Sequence, residues 1–441
     1  MRRIALQLLA ASSLLLGSVL AETRPHYGGT LHVMVHAAPI SLEPAQLEKT
    51  GPNLARLIYD TLVTLDDRGI PQPSLATSWQ SDPGNQRWQL ALRRGVTFSD
   101  SSPLTAESVA AALRVGNPSW RVSADAENVV VQFDSPDIDL PAELALVRNS
   151  IVRHDAGKLT GTGPFTVTQW QAGKRVVITA RDDYFGGRPF LDSVEIDLGG
   201  SRTSDWTRYQ LAEIATRPAG GGRRVESSAP SDLLALVFAR ASASPDEERL
   251  RDALSLSVDR KVLNDVLLQG SGEPARGMLP GWMTGYDFLF SAGTNLPLAS
   301  QAVAEAKRGP ERSLGYDAND PAARLIAERI ALNAADIGLK VVPSITANPD
   351  IQLVRLNLAS LDSHVALASI AAAIGATPPK FAGTSSEELY GAERALLQSR
   401  RVIPLVHLKI SFAMAGPVNG WTMNRTGGWH LADVWLGTEK P

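Results

Sequence analysis

The sequence predicts an α/β protein of two or more domains built on mixed sheets. Three observations carry this. The chain has 441 residues, 44% hydrophobic and 20% charged, which is ordinary globular composition with more length than a single core uses. Short apolar runs with strand periodicity alternate with capped runs of helical periodicity. From Ser313 the order becomes strand (Leu314 to Tyr316), helix (Pro321 to Ile337), strand (Leu339 to Val342), a βαβ unit that implies some parallel sheet.

In chain order, Arg2 and Arg3 precede an apolar run from Ile4 to Leu20, followed by Val19-Leu20-Ala21 at a peptidase-like site. Residues 1–21 read as a cleaved secretory signal with Glu22 the mature start. The rival, a membrane anchor, is disfavoured because the run is at the short limit for spanning. The sequence holds no cysteine, so a lipid-anchored export signal, disulfides, thiolate metal sites and thiol nucleophiles are excluded.

Leu31, Val33 and Val35 alternate with His32, Met34 and His36, a strand ending before Pro39. Glu48 to Pro52 is a polar loop, and Leu54, Leu57, Ile58 and Leu62 follow at roughly helical spacing. Trp88, Leu90 and Leu92 lie two apart, as on one face of a half-buried strand. Gly95 turns the chain, Val96 and Phe98 resume the apolar register, and Ser99 to Pro103 is dense in turn formers. Thr105 then caps a helix with Glu107 in its first turn. Val129 to Phe133, Thr166 to Trp170, Val176 to Ile178 and Val194 to Ile196 read as further strands.

Gly220 to Gly222, beside Arg223 and Arg224, reads as a surface loop and not a phosphate cradle, because no helix start follows it. Ser244-Pro245-Asp246-Glu247 is a capping box with proline first. Asp259 caps the next helix, with Val262, Leu263, Val266 and Leu267 inward and Gly270 at its end. Ile351 to Leu356, Ser385 to Arg400 and Val402 to Leu408 complete the pattern as strand, helix and buried strand.

The chemistry is mostly negative. A net charge of -3 gives no excess to neutralise phosphates, so no nucleic-acid partner is expected. P-loop, zinc HExxH and GxSxG patterns are missing. His32 and His36, four apart on a strand, are about 13 Å from each other and too far to share a metal. No catalytic residue, metal or cofactor is therefore expected. Nine tryptophans and seven tyrosines are mostly core material. Trp120, beside Pro118 in a break between elements, is the exception with a claim to line a ligand cleft.

The ordered segments Gly28-Gly29-Thr30-Leu31, Ser41-Leu42-Glu43-Pro44, Leu57 to Leu62, Ser74 to Trp79, Leu92 to Phe98, Pro103 to Glu107, Gly161 to Phe165, Asp183 to Pro189, Ala253 to Arg260 and Val402 to Leu405 together resemble the peptide/nickel-type extracellular solute-binding proteins of ABC transporters, family 5. The resemblance implies a two-lobed periplasmic-binding-protein fold with a hinge, an inter-lobe cleft and an extra domain. It divides the chain into a discontinuous first domain (22–40, 153–231 and 401–441), a second (41–152) and a third that forms lobe II (232–400). Ser101 and Ser102 stand where the family has glycine and threonine. The segment from Leu113 to Val129 is short, which implies a trimmed second domain.

The implied function is a monomeric periplasmic protein that delivers a small solute, a peptide by preference, to an inner-membrane ABC permease. The alternative is a non-transport sensor or assembly protein with a degenerate pocket. Glu48, Lys49 and Thr50 fall at a ligand-lining loop of the family. Trp120 stands in for its aromatic contact, and Asp362 for the third-domain aspartate that pairs with a peptide amino terminus.

Overall fold

The computed structural model describes residues 24–155, 157–200, 205–215, 223–306, 311–318 and 320–437. The expected signal at 1–21 and the glycine run 220–222 lie outside them. Among the described residues no helix is long and apolar enough to cross a membrane.

Two large mixed sheets organise the chain. The first has seven strands in the order Phe165–Gln171, Arg175–Ala180, Ser193–Asp197, Thr30–Met34, Leu211–Ile214, Ser411–Met414, Arg224–Ser227. Thr30–Met34 runs parallel to both of its neighbours. Its buried Leu31 and Val33 enter a core with Ile178, Ile196, Phe412 and the helix Pro52–Ile58. The alternation read from sequence thus places His32 and His36 off the core face.

The second sheet has six strands in the order Gly272–Pro274, Val402–Leu408, Asp232–Phe238, Ile351–Leu356, Arg312–Gly315, Val341–Ser344. The expected βαβ unit is present: Arg312–Gly315 and Val341–Ser344 pair in parallel around the helix Pro321–Asp336. Asp232–Phe238 is covered on both faces. Leu234, Leu236 and Phe238 enter one core and Leu233 and Ala235 another, which is why this strand reads as an unbroken apolar run.

A third, antiparallel sheet of four strands (Ala76–Ser81, Arg87–Leu92, Asn128–Gln132, Arg121–Asp125) packs against the helix Ala106–Gly116. Thr105 caps that helix, and its capping-box partner is Ser108. Gly95 has φ 75° and Ser101 φ 66°. Buried Arg181 ties this unit to the first sheet. Its guanidinium donates to the carbonyls of Thr162 (3.0 Å) and Thr97 (3.1 Å) and pairs with Asp183.

The chain passes between the two large sheets at 228–231 and again at 409–410. These segments run side by side: Ser231 N donates to the Leu408 carbonyl at 2.9 Å and Ser228 N to the Ile410 carbonyl at 2.9 Å. The strand Val402–Leu408, grouped from the sequence with 401–441, pairs along Asp232–Phe238 in the six-stranded sheet. All of its residues are buried, and such a strand is stabilised inside a sheet covered on both faces. One expected helix also differs. Leu263–Leu267 is a π-turn, whose extra residue shifts the phase and leaves Val266 65% exposed.

A second set of contacts joins the four-stranded unit to lobe II. Asp139 Oδ1 lies 3.1 Å from His364 Nδ1, Lys380 Nζ donates to Ser135 Oγ at 3.0 Å, and Ala142 and Leu146 pack on Val365.

Candidate functional site: a cleft between the lobes

Between the two large sheets lies a cleft of about 940 Å³ with walls from both lobes. One wall comes from the end of the first parallel strand, the segment from Glu48 to Arg56 and the glycines Gly199, Gly200, Gly427 and Gly428. The other comes from Asp232, Leu353 to Arg355, Asn357 to Ala359 and the start of the helix Pro321–Asp336.

The helix Pro52–Ile58 is oriented by its apolar residues. Leu54, Ala55, Leu57 and Ile58 are buried, so Asn53 and Arg56 face the cleft. Its end is fixed by contact with the strand Lys158–Gly161 and the turn that follows, where a Cβ on Gly163 would stand 2.5 Å from the Ile58 carbonyl carbon. Asn53 anchors the glycine loop by donating to the Gly427 carbonyl at 3.0 Å and accepting from Trp429 N at 2.9 Å.

The charged groups of the cleft are largely paired. Glu48 accepts from Arg148 Nη1 at 2.8 Å and from Arg148 N at 2.9 Å. Glu213 accepts from His36 N at 2.9 Å, with His36 Nδ1 3.4 Å away. Burial pushes the Glu213 carboxyl up, but the His36 contacts and the Arg355 charge outweigh it and hold the group at about 2. Asp232 and Arg355 meet at 2.8 Å. Burial raises Asp232 above the usual carboxylate range against the pull of Arg355. Asp320 caps its helix by accepting from Ala322 N at 2.9 Å, and Asp317 is likewise engaged. Arg56 is pushed down by burial, partly offset by the Glu48 charge. Among the described residues no group of histidine and carboxylate side chains is arranged to hold a metal ion.

Glu48, Lys49 and Thr50 all line the cleft, with Lys49 and Thr50 exposed on its rim; the polar loop expected at Glu48 to Pro52 is instead the end of the helix Pro44–Thr50, separated only by Gly51 from the helix Pro52–Ile58. Trp120 and Asp362 do not, and both expectations are corrected. After the turn at Asn117-Pro118 the Trp120 ring folds back onto Phe133, edge to face at 5.6 Å, within the core of the four-stranded unit. Asp362 accepts from Val365 N at 3.0 Å and caps the helix Ser363–Ala373. A carboxylate bonded to helix N–H groups is committed locally. Sequence reasoning missed His36, Arg56, Glu213, Asp232 and Arg355. The available signal was a lone charge in an apolar element: Arg56 in PNLARLI, Arg355 in IQLVRL and Asp232 in DLLALVF.

Two lobes joined by paired crossings, with a cleft between them, are the architecture of the two-lobed folds that can close about a hinge. The chain belongs to the bacterial extracellular solute-binding proteins, family 5, whose middle-region model matches residues 71–362. An uncharacterized protein YhjP of Bacillus subtilis is 33% identical over 194 residues, 40% of this chain and 33% of the relative. The probable D,D-dipeptide-binding periplasmic protein DdpA of Escherichia coli is 24% identical over 300 residues, 57% of each chain. The chain spans 33% to 63% of the length of the first curated relatives it matches.

Among solved structures, AgaA of A. tumefaciens R10 with agropinic acid aligns at TM-score 0.80 and 18% identity, covering 93% of this chain and 99% of that one. AppA of Bacillus subtilis with a nonapeptide aligns at TM-score 0.78 and 17% identity, covering 94% and 100%. These likenesses establish the two-lobed fold.

Proposed function

We propose that the protein is a periplasmic substrate-binding protein that delivers a small solute, a peptide by preference, to an ABC import permease in the inner membrane. The observation that carries this is the cleft of about 940 Å³ lined from both lobes. Its volume is of the size that buries a small ligand, and closure about the crossings at 228–231 and 409–410 would sequester one. A pocket filled by its own side chains would have favoured the sensor or assembly reading. The peptide preference draws support from relatives described as dipeptide-binding.

The same reading takes 1–21 as a signal removed on export and the mature chain as a monomer. It has the protein act by binding, without catalysis. Glu48, Lys49 and Thr50 form the ligand-facing rim. The domain division keeps a discontinuous first domain and the second domain at 41–152, and extends lobe II from 232 through Leu408, since Val402–Leu408 lies in its sheet.

Thermal-shift screening against peptide, sugar and metal-chelate libraries tests the proposal, because a ligand of the folded state raises apparent stability by mass action. Stabilisation by peptides is expected. Failure of every class, together with no co-purified ligand by native mass spectrometry, removes the transport reading.

A further inference from the structure

The charges of the cleft separate into two sets. Every carboxylate is engaged: Glu48 by Arg148, Glu213 by His36, Asp232 by Arg355, and Asp317 and Asp320 as well. Among the cations, Arg355 is paired, whereas no hydrogen bond or ion pair reaches Arg56 or Lys49 among the described residues. Arg56 is partly buried in the cleft wall, on a helix whose other residues pin it there. The Glu48 charge nearby is already neutralised by two bonds from Arg148. The lining as a whole carries more carboxylates than cations, but every carboxylate is engaged, so the uncommitted charge it presents is the positive charge of Arg56 and Lys49.

A guanidinium withdrawn from water without a partner is destabilising, and a bound anion that completes its planar fork relieves this. An ammonium group would find no uncommitted carboxylate in the same cleft. Resting on the solute-binding reading above, we infer that the solute is held through a carboxylate at Arg56, with Lys49 adding attraction at the rim. The carboxylate comes from a peptide C-terminus or from a non-peptide organic acid.

The test uses the full chain and calorimetric titration with three probes: a tripeptide library as free acids, the same library as C-terminal amides, and a mixture of non-peptide aliphatic di- and tricarboxylic acids. Wild type, Arg56→Gln and Arg56→Lys are compared. The expected result is that free acids, or the organic acids, bind wild type about 10- to 100-fold more tightly than the amides, the range for charge-assisted bonds to one group. Arg56→Gln abolishes that difference, and Arg56→Lys retains part of it.

Ligand-free Arg56→Gln should melt no lower than wild type, because a buried charge without a partner has been removed. A marked fall would assign Arg56 a structural role and overturn the inference. Equal binding of acids and amides also overturns it, and so does stabilisation by sugars or metal chelates alone in the thermal-shift screen, although the latter would leave the transport reading intact. Binding of no probe in any class removes both.

Discussion

Asn357 of lobe II donates its side-chain N–H to the main-chain carbonyl of Glu48 at 2.8 Å, bridging the cleft at its rim. Both residues line the cleft, so the bond exists only when the lobes are together. A net contribution of about 1 kcal/mol is usual for such a bond. Asn357→Ala is expected to shift the ligand-free population towards open forms by about fivefold. Small-angle scattering should then show a larger radius of gyration without ligand. A scattering curve superimposable on wild type would show that this bond does not hold the lobes.

The contact of Asp139 with His364 gives the second lobe junction a pH dependence. Burial alone would lower the His364 pKa, but the Asp139 bond and charge, with Asp362 and Glu388, raise it above 6.5. Glu143, in the same patch, is pushed up from 4.5 to about 7 by burial and by Asp137, against Arg148. The histidine contributes stability that is full below its unfolded value and lost as pH rises through the folded one. The carboxyl acts in the same direction, its effect lost between about 4.5 and 7. The stability of wild type relative to Glu143→Gln, read from urea midpoints, should fall from pH 5 to pH 8. Glu143→Gln should stabilise the protein at pH 8 by about 2 kcal/mol; no gain at that pH would remove Glu143 from the account.

His407 acts at the acid end. It lies in the fully buried strand Val402–Leu408, and neither ring nitrogen makes a well-formed hydrogen bond. Burial pushes its pKa from 6.5 to about 4, opposed by the Gly277 backbone. Here the folded pKa is below the unfolded one, so stability is full above 6.5 and is lost as pH falls towards 4. The difference in unfolding free energy between wild type and His407→Leu should change by about 3 kcal/mol across that window. A pH-independent difference would mean that the ring is not held neutral.

Ser101 occupies the left-handed region with φ 66°, at the turn position where the family resemblance implies glycine. That backbone costs a residue with a Cβ roughly 1–2 kcal/mol, and glycine adopts it freely at some entropic cost. Ser101→Gly is expected to raise stability by about 1 kcal/mol, read as a higher urea midpoint at unchanged slope. The Asp100 and Ser102 contacts with Arg153 belong to the neighbouring residues and should persist. An unchanged or lower midpoint would show that the turn is relaxed as serine.

Much of the fold is legible from local pattern. The strand at Thr30–Met34, the Thr105 and Asp259 caps and the parallel pair around the helix Pro321–Asp336 follow from periodicity and capping chemistry, which act within a few residues. The π-turn at Leu263–Leu267 was not legible, because an added residue in a helical turn leaves the apolar spacing ambiguous. Motif position points to Glu48, Lys49 and Thr50, and these line the cleft. Trp120 and Asp362 were placed by the same reasoning and sit in a core and a helix cap instead.

By itself, the sequence determined the α/β class, part of the order of elements and the membership implied by the ordered motifs, since each depends on neighbours in the chain. Only the tertiary structure decided which charges share the cleft. Arg56, Glu213, Asp232 and Arg355 are far apart in sequence, and sheet order and hinge crossings bring them together. Whether a charge is free to meet a ligand depends on which partner reaches it first: Arg148 reaches Glu48, Asp232 reaches Arg355, and among the described residues no side chain pairs with Arg56.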